Sequence, residues 1–228
     1  MIKVCGVQFN SSLKTYDFRQ GRSKVGINDF VIVETAQGTE VGRVIYINKE
    51  IVPSESDELL KEIIRVADDK DLARWKKMRL EGSTYLDIFK QKSAELSLGM
   101  KPIEVELSFD GEKAIFYFTA ENRVDFRELI KALSRIVKKQ VVMRQIGPRD
   151  EAKFLGGFGI CGQPVCCARF LNQVESISMD QAREQYANSV NANKVTGICG
   201  RLMCCLAFED QDKKAPMRKS GRGDEKND

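Results

Sequence analysis

The stretch Ile103-Glu104-Val105-Glu106-Leu107-Ser108-Phe109-Asp110-Gly111 decides the fold class. Its apolar residues fall at every second position, the period of a strand with one buried face. Asp110-Gly111 supplies a turn, and Ala114–Thr119 reads as the returning strand. Asp125 then reads as a helix N-cap, with Glu128 three residues on as its reciprocal partner. Phe126, Leu129, Ile130, Leu133, Ile136 and Val137 form the apolar stripe of that helix. Val141-Val142-Met143 follows as a third strand. This strand-strand-helix-strand order predicts a globular α+β unit.

Upstream, Gly99 and Pro102 are helix stop signals. From Glu58 to Leu98 there is no Pro, and Gly82 is the lone Gly. Pro53-Ser54-Glu55-Ser56-Asp57 has the composition of a helix start. Leu59, Leu60, Ile63, Ile64 and Ala67 recur at helical spacing, which predicts a first helix that turns a corner at Ala67-Asp68-Asp69-Lys70. Leu72, Trp75, Met78, Arg79, Tyr85, Leu86, Phe89 and Leu96 continue the pattern in a second helix. Arg74, Lys76, Lys77 and Arg79 form a basic run there, a solvated helix face or a nucleic-acid or partner contact. Before residue 52, Ile2–Gln8, Asp29–Glu34 and Thr39–Ile47 are Val- and Ile-rich, with Gln37-Gly38 as a hairpin turn. They predict a small antiparallel sheet or barrel, with Cys5 as a buried structural thiol. The expected organisation is α+β throughout. Residues 1–52 form a β subdomain, 53–148 a helical segment plus the α+β unit, 149–208 a cysteine-rich region and 209–228 a disordered polar tail.

Of 228 residues, 42% are apolar and 31% charged, with a net charge of +4, so wholesale disorder is excluded. No run approaches a membrane span, and Met1-Ile2-Lys3-Val4-Cys5-Gly6 lacks a signal-peptide core, so a cytoplasmic, non-integral protein is expected. There is no His and there are seven Cys. Without imidazole, Ser-His and Cys-His nucleophile pairs are excluded. In a reducing compartment, seven thiols fit metal ligands or redox groups better than a disulfide framework. Gly156-Gly157-Phe158-Gly159 lacks dinucleotide-fingerprint spacing, and no enzyme activity is expected.

Six of the cysteines lie in a repeat. Gly159-Ile160-Cys161-Gly162-Gln163-Pro164-Val165-Cys166-Cys167 returns 38 residues later as Gly197-Ile198-Cys199-Gly200-Arg201-Leu202-Met203-Cys204-Cys205. Each copy ends with a Phe three residues on, Phe170 and Phe208. Between them Ser178 and Gln181 read as a capping box. Clustered thiolates call for cations, and Gly beside Cys lets backbone amides approach sulfur. Three thiols per copy is one short of a four-ligand site. The other copy, a partner protein or a small molecule has to complete it. One four-iron cluster, two zinc ions with bridging sulfurs, packed reduced thiols and a disulfide switch all stay open on spacing alone.

At these residues, with Gly147-Pro148-Arg149-Asp150 before them and Asp180-Gln181-Ala182-Arg183-Glu184-Gln185-Tyr186 between the copies, the chain resembles the bacterial RicT (YaaT) family, proteins with a PSP C-terminal domain. The resemblance implies a non-catalytic subunit of a cytoplasmic complex with two small helical partners of the YlbF/YmcA type. It implies an iron–sulfur cluster, of the four-iron–four-sulfur kind, with Cys161, Cys166, Cys167, Cys199, Cys204 and Cys205 as its thiols. It also implies assistance to the endoribonuclease RNase Y in mRNA processing, with effects on sporulation, competence and biofilm formation. The competing expectation is a zinc-stabilised nucleic-acid-binding protein, with Lys76 and Lys77 on the phosphate backbone.

Overall fold

The computed structural model describes residues 2–9, 15–21, 23–35, 38–51, 60–171, 177–185 and 195–214. Strands β1 (Ile2–Phe9), β2 (Thr15–Arg19), β3 (Phe30–Thr35), β4 (Gly38–Ile51) and β5 (Ile63–Val66) form one antiparallel sheet in the order β2-β1-β4-β3-β5. The edge strands approach each other. Arg19 N–H donates to Lys61 O at 3.0 Å, and Arg19 pairs with Glu62, so the sheet curls towards a barrel. Cys5, Val7, Phe18, Val31, Val33, Val44 and Ile63 fill the interior. Cys5 is fully buried there, as its apolar setting implied, and burial pushes its thiol up against an opposing backbone hydrogen bond at Asn48.

The helix expected over Leu60, Ile63, Ile64 and Ala67 is instead strand β5, and Leu59 lies outside the described residues. Ile63 faces the barrel core while Ile64 is exposed. Three β-branched residues among four gain more from completing a sheet edge than from the helical spacing they also satisfy. The corner at Ala67–Lys70 is therefore a strand-to-helix junction. Asp68 caps helix α1 (Asp69–Glu95) in a reciprocal box with Asp71, and Arg65 forks onto the Asp71 carboxylate, with Nη2 at 2.9 Å.

Helix α1 is a single 27-residue rod, about 40 Å long at the usual rise, and it lies across both halves of the molecule. Its first half places Trp75 and Met78 against Ile32, Val41 and Phe109. Its second half places Phe89 edge-on to Phe116, with ring centroids 5.2 Å apart, in the second core. Gly82 sits where the helix touches the second sheet: a methyl there would stand 2.5 Å from the Val105 carbonyl oxygen.

That sheet is β6 (Lys101–Leu107), β7 (Lys113–Thr119) and β8 (Gln140–Gln145), in sequence order. The strand-strand-helix-strand reading holds, with β6 antiparallel and β8 parallel to β7 across helix α2 (Arg127–Val137). Leu129, Leu133 and Val137 are the buried stripe; Ile136 points outward and is exposed, one position too far round the helix. The expected capping box is absent. Phe126 occupies the N-cap, and Asp125 accepts a hydrogen bond from Arg127 N–H at 3.1 Å. The two sheets join at the Asp110 turn, where Phe109 N–H donates to Thr39 O at 2.7 Å.

Helices α3 (Pro148–Leu155), α4 (Cys166–Arg169), α5 (Met179–Gln185) and α6 (Cys204–Lys214) follow. Residues 209–214, expected in the polar tail, continue helix α6, whose start is fixed by the packing of Leu206. Residues 215–228 of that expected tail lie outside the described residues. No helix among the described residues is long and apolar enough to cross a membrane.

Candidate metal centre

The two cysteine copies fold into the same backbone device. In the first, Phe158 bridges Pro164, Gly159 N–H donates to Gln163 O at 2.8 Å, and Gly162 N–H donates back to Gly159 O at 3.0 Å. In the second, Thr196 bridges Leu202, Gly197 N–H donates to Arg201 O at 2.8 Å, and Gly200 N–H donates to Gly197 O at 2.9 Å. Every pair is related by the repeat of 38 seen in the sequence. Gly162 and Gly200 have φ of 73° and 72°, the left-handed region, which explains why Gly follows Cys161 and Cys199. Each loop then turns into a helix whose first two residues are the vicinal cysteines. This puts Cys166, Cys167, Cys204 and Cys205 at helix starts, where free amides face the sulfurs.

The copies meet face to face. Phe170 and Phe208, the matching last residues, stand edge to face at 5.3 Å. A methyl on Gly157 would lie 3.2 Å from Ile198 Cδ1 of the other copy. Helix α5 closes the back, with the Ser178–Gln181 box formed as expected and Gln185 Nε2 donating to Leu206 O at 2.8 Å.

The docking gathers thiols from both copies. Cys167 and Cys166 of the first copy both donate to the sulfur of Cys204 in the second. Cys161 lies within electrostatic range of Cys166, Cys199 of Cys167, and Cys205 of both Cys166 and Cys204. Cys167 is buried, Cys161 is exposed, and the other four lie between. The hydrogen bond from Cys167 and the charge of Arg149 hold the Cys204 thiol well below the usual range, against its burial. Its hydrogen bond to Cys204 and its burial drive Cys167 strongly up. Burial pushes Cys205 up to about 11.

Two bases on helix α3 complete the setting, and the sequence reading did not single them out as site residues. Arg149 donates to Leu202 O at 3.2 Å beside Cys204, and Lys153 is buried beside Cys167. Their signal was present: Gly147-Pro148 opens a helix just before the first loop, and positions four apart share a helix face. The donor set fits a thiolate-bound group, because sulfur donors from both copies approach one another beside two cations. The spacing is not that of a closed site: among the described residues, no three of Cys, Asp and Glu stand ready around one ion position.

Residues 61–146 match the family profile described as the PSP1 C-terminal conserved region, and residues 176–215 match the PSP1-like protein third domain. The chain is 44% identical over 197 residues to the stage 0 sporulation protein YaaT of Bacillus subtilis, covering 86% of this chain and 71% of that protein. It is 24% identical over 170 residues to an uncharacterized protein of Schizosaccharomyces pombe, covering 58% of this chain and 23% of that one. No solved structure matches it.

Proposed function

The chain belongs to the YaaT (RicT) family of PSP1 proteins, and from that premise we propose that it is a non-catalytic iron–sulfur subunit of a cytoplasmic regulatory complex with a sporulation-related role. The observation that carries this reading is the docking of two matching loops, which brings Cys166 and Cys167 of the first to Cys204 of the second. A bound cluster there would supply sensitivity to iron and oxygen. The chain's own residues hold the sulfurs, orient them through the Gly162 and Gly200 turns, and set positive charge beside them through Arg149 and Lys153.

The surface around the loops supports a partner. Phe158 is 68% exposed and Ile160 66%, just before the exposed Cys161, with Leu155 exposed upstream and Ile198 exposed beside Cys199 of the other copy. Apolar tips beside an open thiol suit a partner that covers them and completes the ligand set. In this reading the partners are two small helical proteins of the YlbF/YmcA type. The complex assists RNase Y-dependent mRNA processing, and through it sporulation, competence and biofilm formation.

Anaerobic purification with and without such partners tests the proposal, reading iron, zinc, acid-labile sulfide and the visible spectrum. Iron and sulfide that disappear on Cys→Ser substitution at Cys161, Cys166, Cys167, Cys199 or Cys204 are the expected result. Stoichiometric zinc and no visible absorbance in either preparation would overturn it in favour of a zinc-stabilised nucleic-acid-binding protein.

A further inference from the structure

A second site lies on the face of the β6-β7-β8 sheet that turns from the core, and Lys153, which stands beside Cys167, also lines it. Val105 points into that core, so strand alternation sends Glu104 and Glu106 to the opposite side. There a cavity of about 720 Å³ opens between β4, β6, α1 and α3. Its walls carry opposite charge. Glu40, Glu104 and Glu106 line the strand side, and Lys76, Arg79 and Lys153 line the helix side.

Part of this charge is met locally. Glu40 is held by the Thr35 hydroxyl, Glu106 by the Tyr117 hydroxyl at 3.0 Å, and Lys153 lies 3.7 Å from Asp150 on its own helix. Among the described residues, Glu104 accepts one hydrogen bond, from Val105 N–H at 3.2 Å, and neither Lys76 nor Arg79 has a carboxylate partner. Arg79 lies over the Trp75 ring at 5.4 Å, at the rim, and Met78 and Phe109 supply an apolar floor. A ligand that suits these walls is flat and partly apolar. It carries N–H donors at one end and an anion at the other.

We propose that this cavity binds a guanine nucleotide, its base edge on the Glu104 carboxylate and its phosphate towards Lys76 and Arg79. Guanine offers adjacent N–H donors on its Watson–Crick edge, and a carboxylate offers two acceptor oxygens side by side. Adenine offers one amino group there and fits the same wall less well. Arg79 and Lys76 are the phosphate's natural counter-charges, and a guanidinium plane also stacks on a base. Such a nucleotide arrives free or as the unpaired end of an RNA strand, and the cavity's chemistry is the same for both.

Calorimetric titration of the full chain, purified anaerobically, tests the site with guanosine monophosphate, adenosine monophosphate, guanosine and a short oligoribonucleotide ending in guanosine. Guanosine monophosphate is expected to bind about tenfold or more tightly than adenosine monophosphate or guanosine, the size of a lost charge-assisted pair. Glu104→Gln is expected to erase the preference for guanine, and Arg79→Gln the preference for phosphate. Arg79 is exposed and Glu104 half-buried, and unchanged thermal unfolding of each variant checks that the fold persists. Binding of the oligoribonucleotide alone, with the same dependence on both residues, supports the site and assigns its ligand to an RNA end. No binding of either form at millimolar concentration, or binding indifferent to both substitutions, overturns the proposal.

Discussion

The two cysteine loops share a backbone and differ in what stands behind it. At the positions where the second copy places Val195 and Leu206, both fully buried, the first copy has Gly157 and Ala168. Val195 and Leu206 pack with Ala182 of α5 into a small core of their own. Among the described residues the first copy has no such core and leans on α3, where Lys153 lies against Cys167. Duplication therefore supplied a thiol-holding turn twice, and the neighbouring helices made one copy the anchor and the other the open face. Exposed Phe158 and Cys161 belong to the first copy, where the second has half-buried Thr196 and Cys199, while Ile160 and its counterpart Ile198 are exposed in both.

The largest effect that tests this asymmetry is Leu206→Ala. Leu206 is 1% exposed, and truncating a fully buried Leu costs about 2–5 kcal/mol. Urea denaturation followed by hydrogen exchange in α6 is expected to show that loss. Ala168→Gly, at the matching position, is expected to cost about 1 kcal/mol, the helix-propensity difference. Equal losses would mean that both copies carry the same structural load.

The turns themselves predict symmetry. A methyl at Gly162 or Gly200 meets nothing within 4 Å, so the cost of Ala there comes from the positive φ alone. Gly162→Ala and Gly200→Ala are each expected to lose about 1 kcal/mol, and to lose it equally. A large difference would place hidden strain in one loop. Next in size is the staple between copies. The Phe170–Phe208 edge-to-face contact is expected to give a coupling of about 0.5–1.5 kcal/mol in a double-mutant cycle to Leu. Zero coupling would show that the copies do not dock through these rings.

Much of this was legible beforehand, for reasons that differ by region. The alternation in Ile103–Phe109 and the stripe of α2 carry one period each, and burial agrees with it. Ile63-Ile64-Arg65-Val66 satisfies two periods at once, and only the open edge beside β3 decides for strand. The doubled cysteine motif announced two copies of one device. Its internal spacing did not reveal that the copies face each other, because that depends on Phe170, Gly157 and α5 acting across long separations. Arg149 and Lys153 escaped notice because a base becomes part of a sulfur site only once a helix sets it beside one.

The smallest expected effect in free energy is also the sharpest test of the comparison. Cys166 and Cys204 occupy the same position in the two copies, yet burial and then the charge of Cys204 push Cys166 up, while Cys204 itself is drawn down. In the reduced, metal-free chain, alkylation of Cys204 is expected to reach half-maximum below the ordinary thiol range, and that of Cys166 above it, as read by mass spectrometry across a pH series. A thiol lowered on folding adds stability that is complete above the ordinary thiol pKa. That contribution is lost as pH falls through the lowered value, so it fades on the acid side of the thiol range. Cys167→Ala removes the hydrogen bond that lowers Cys204 most and is expected to raise its midpoint most, with Arg149→Gln raising it less. Cys167→Ser keeps a donor and is expected to hold it low. Identical midpoints for Cys166 and Cys204 would mean that the repeat's symmetry extends to its chemistry, and that α3 positions the loops without polarising them.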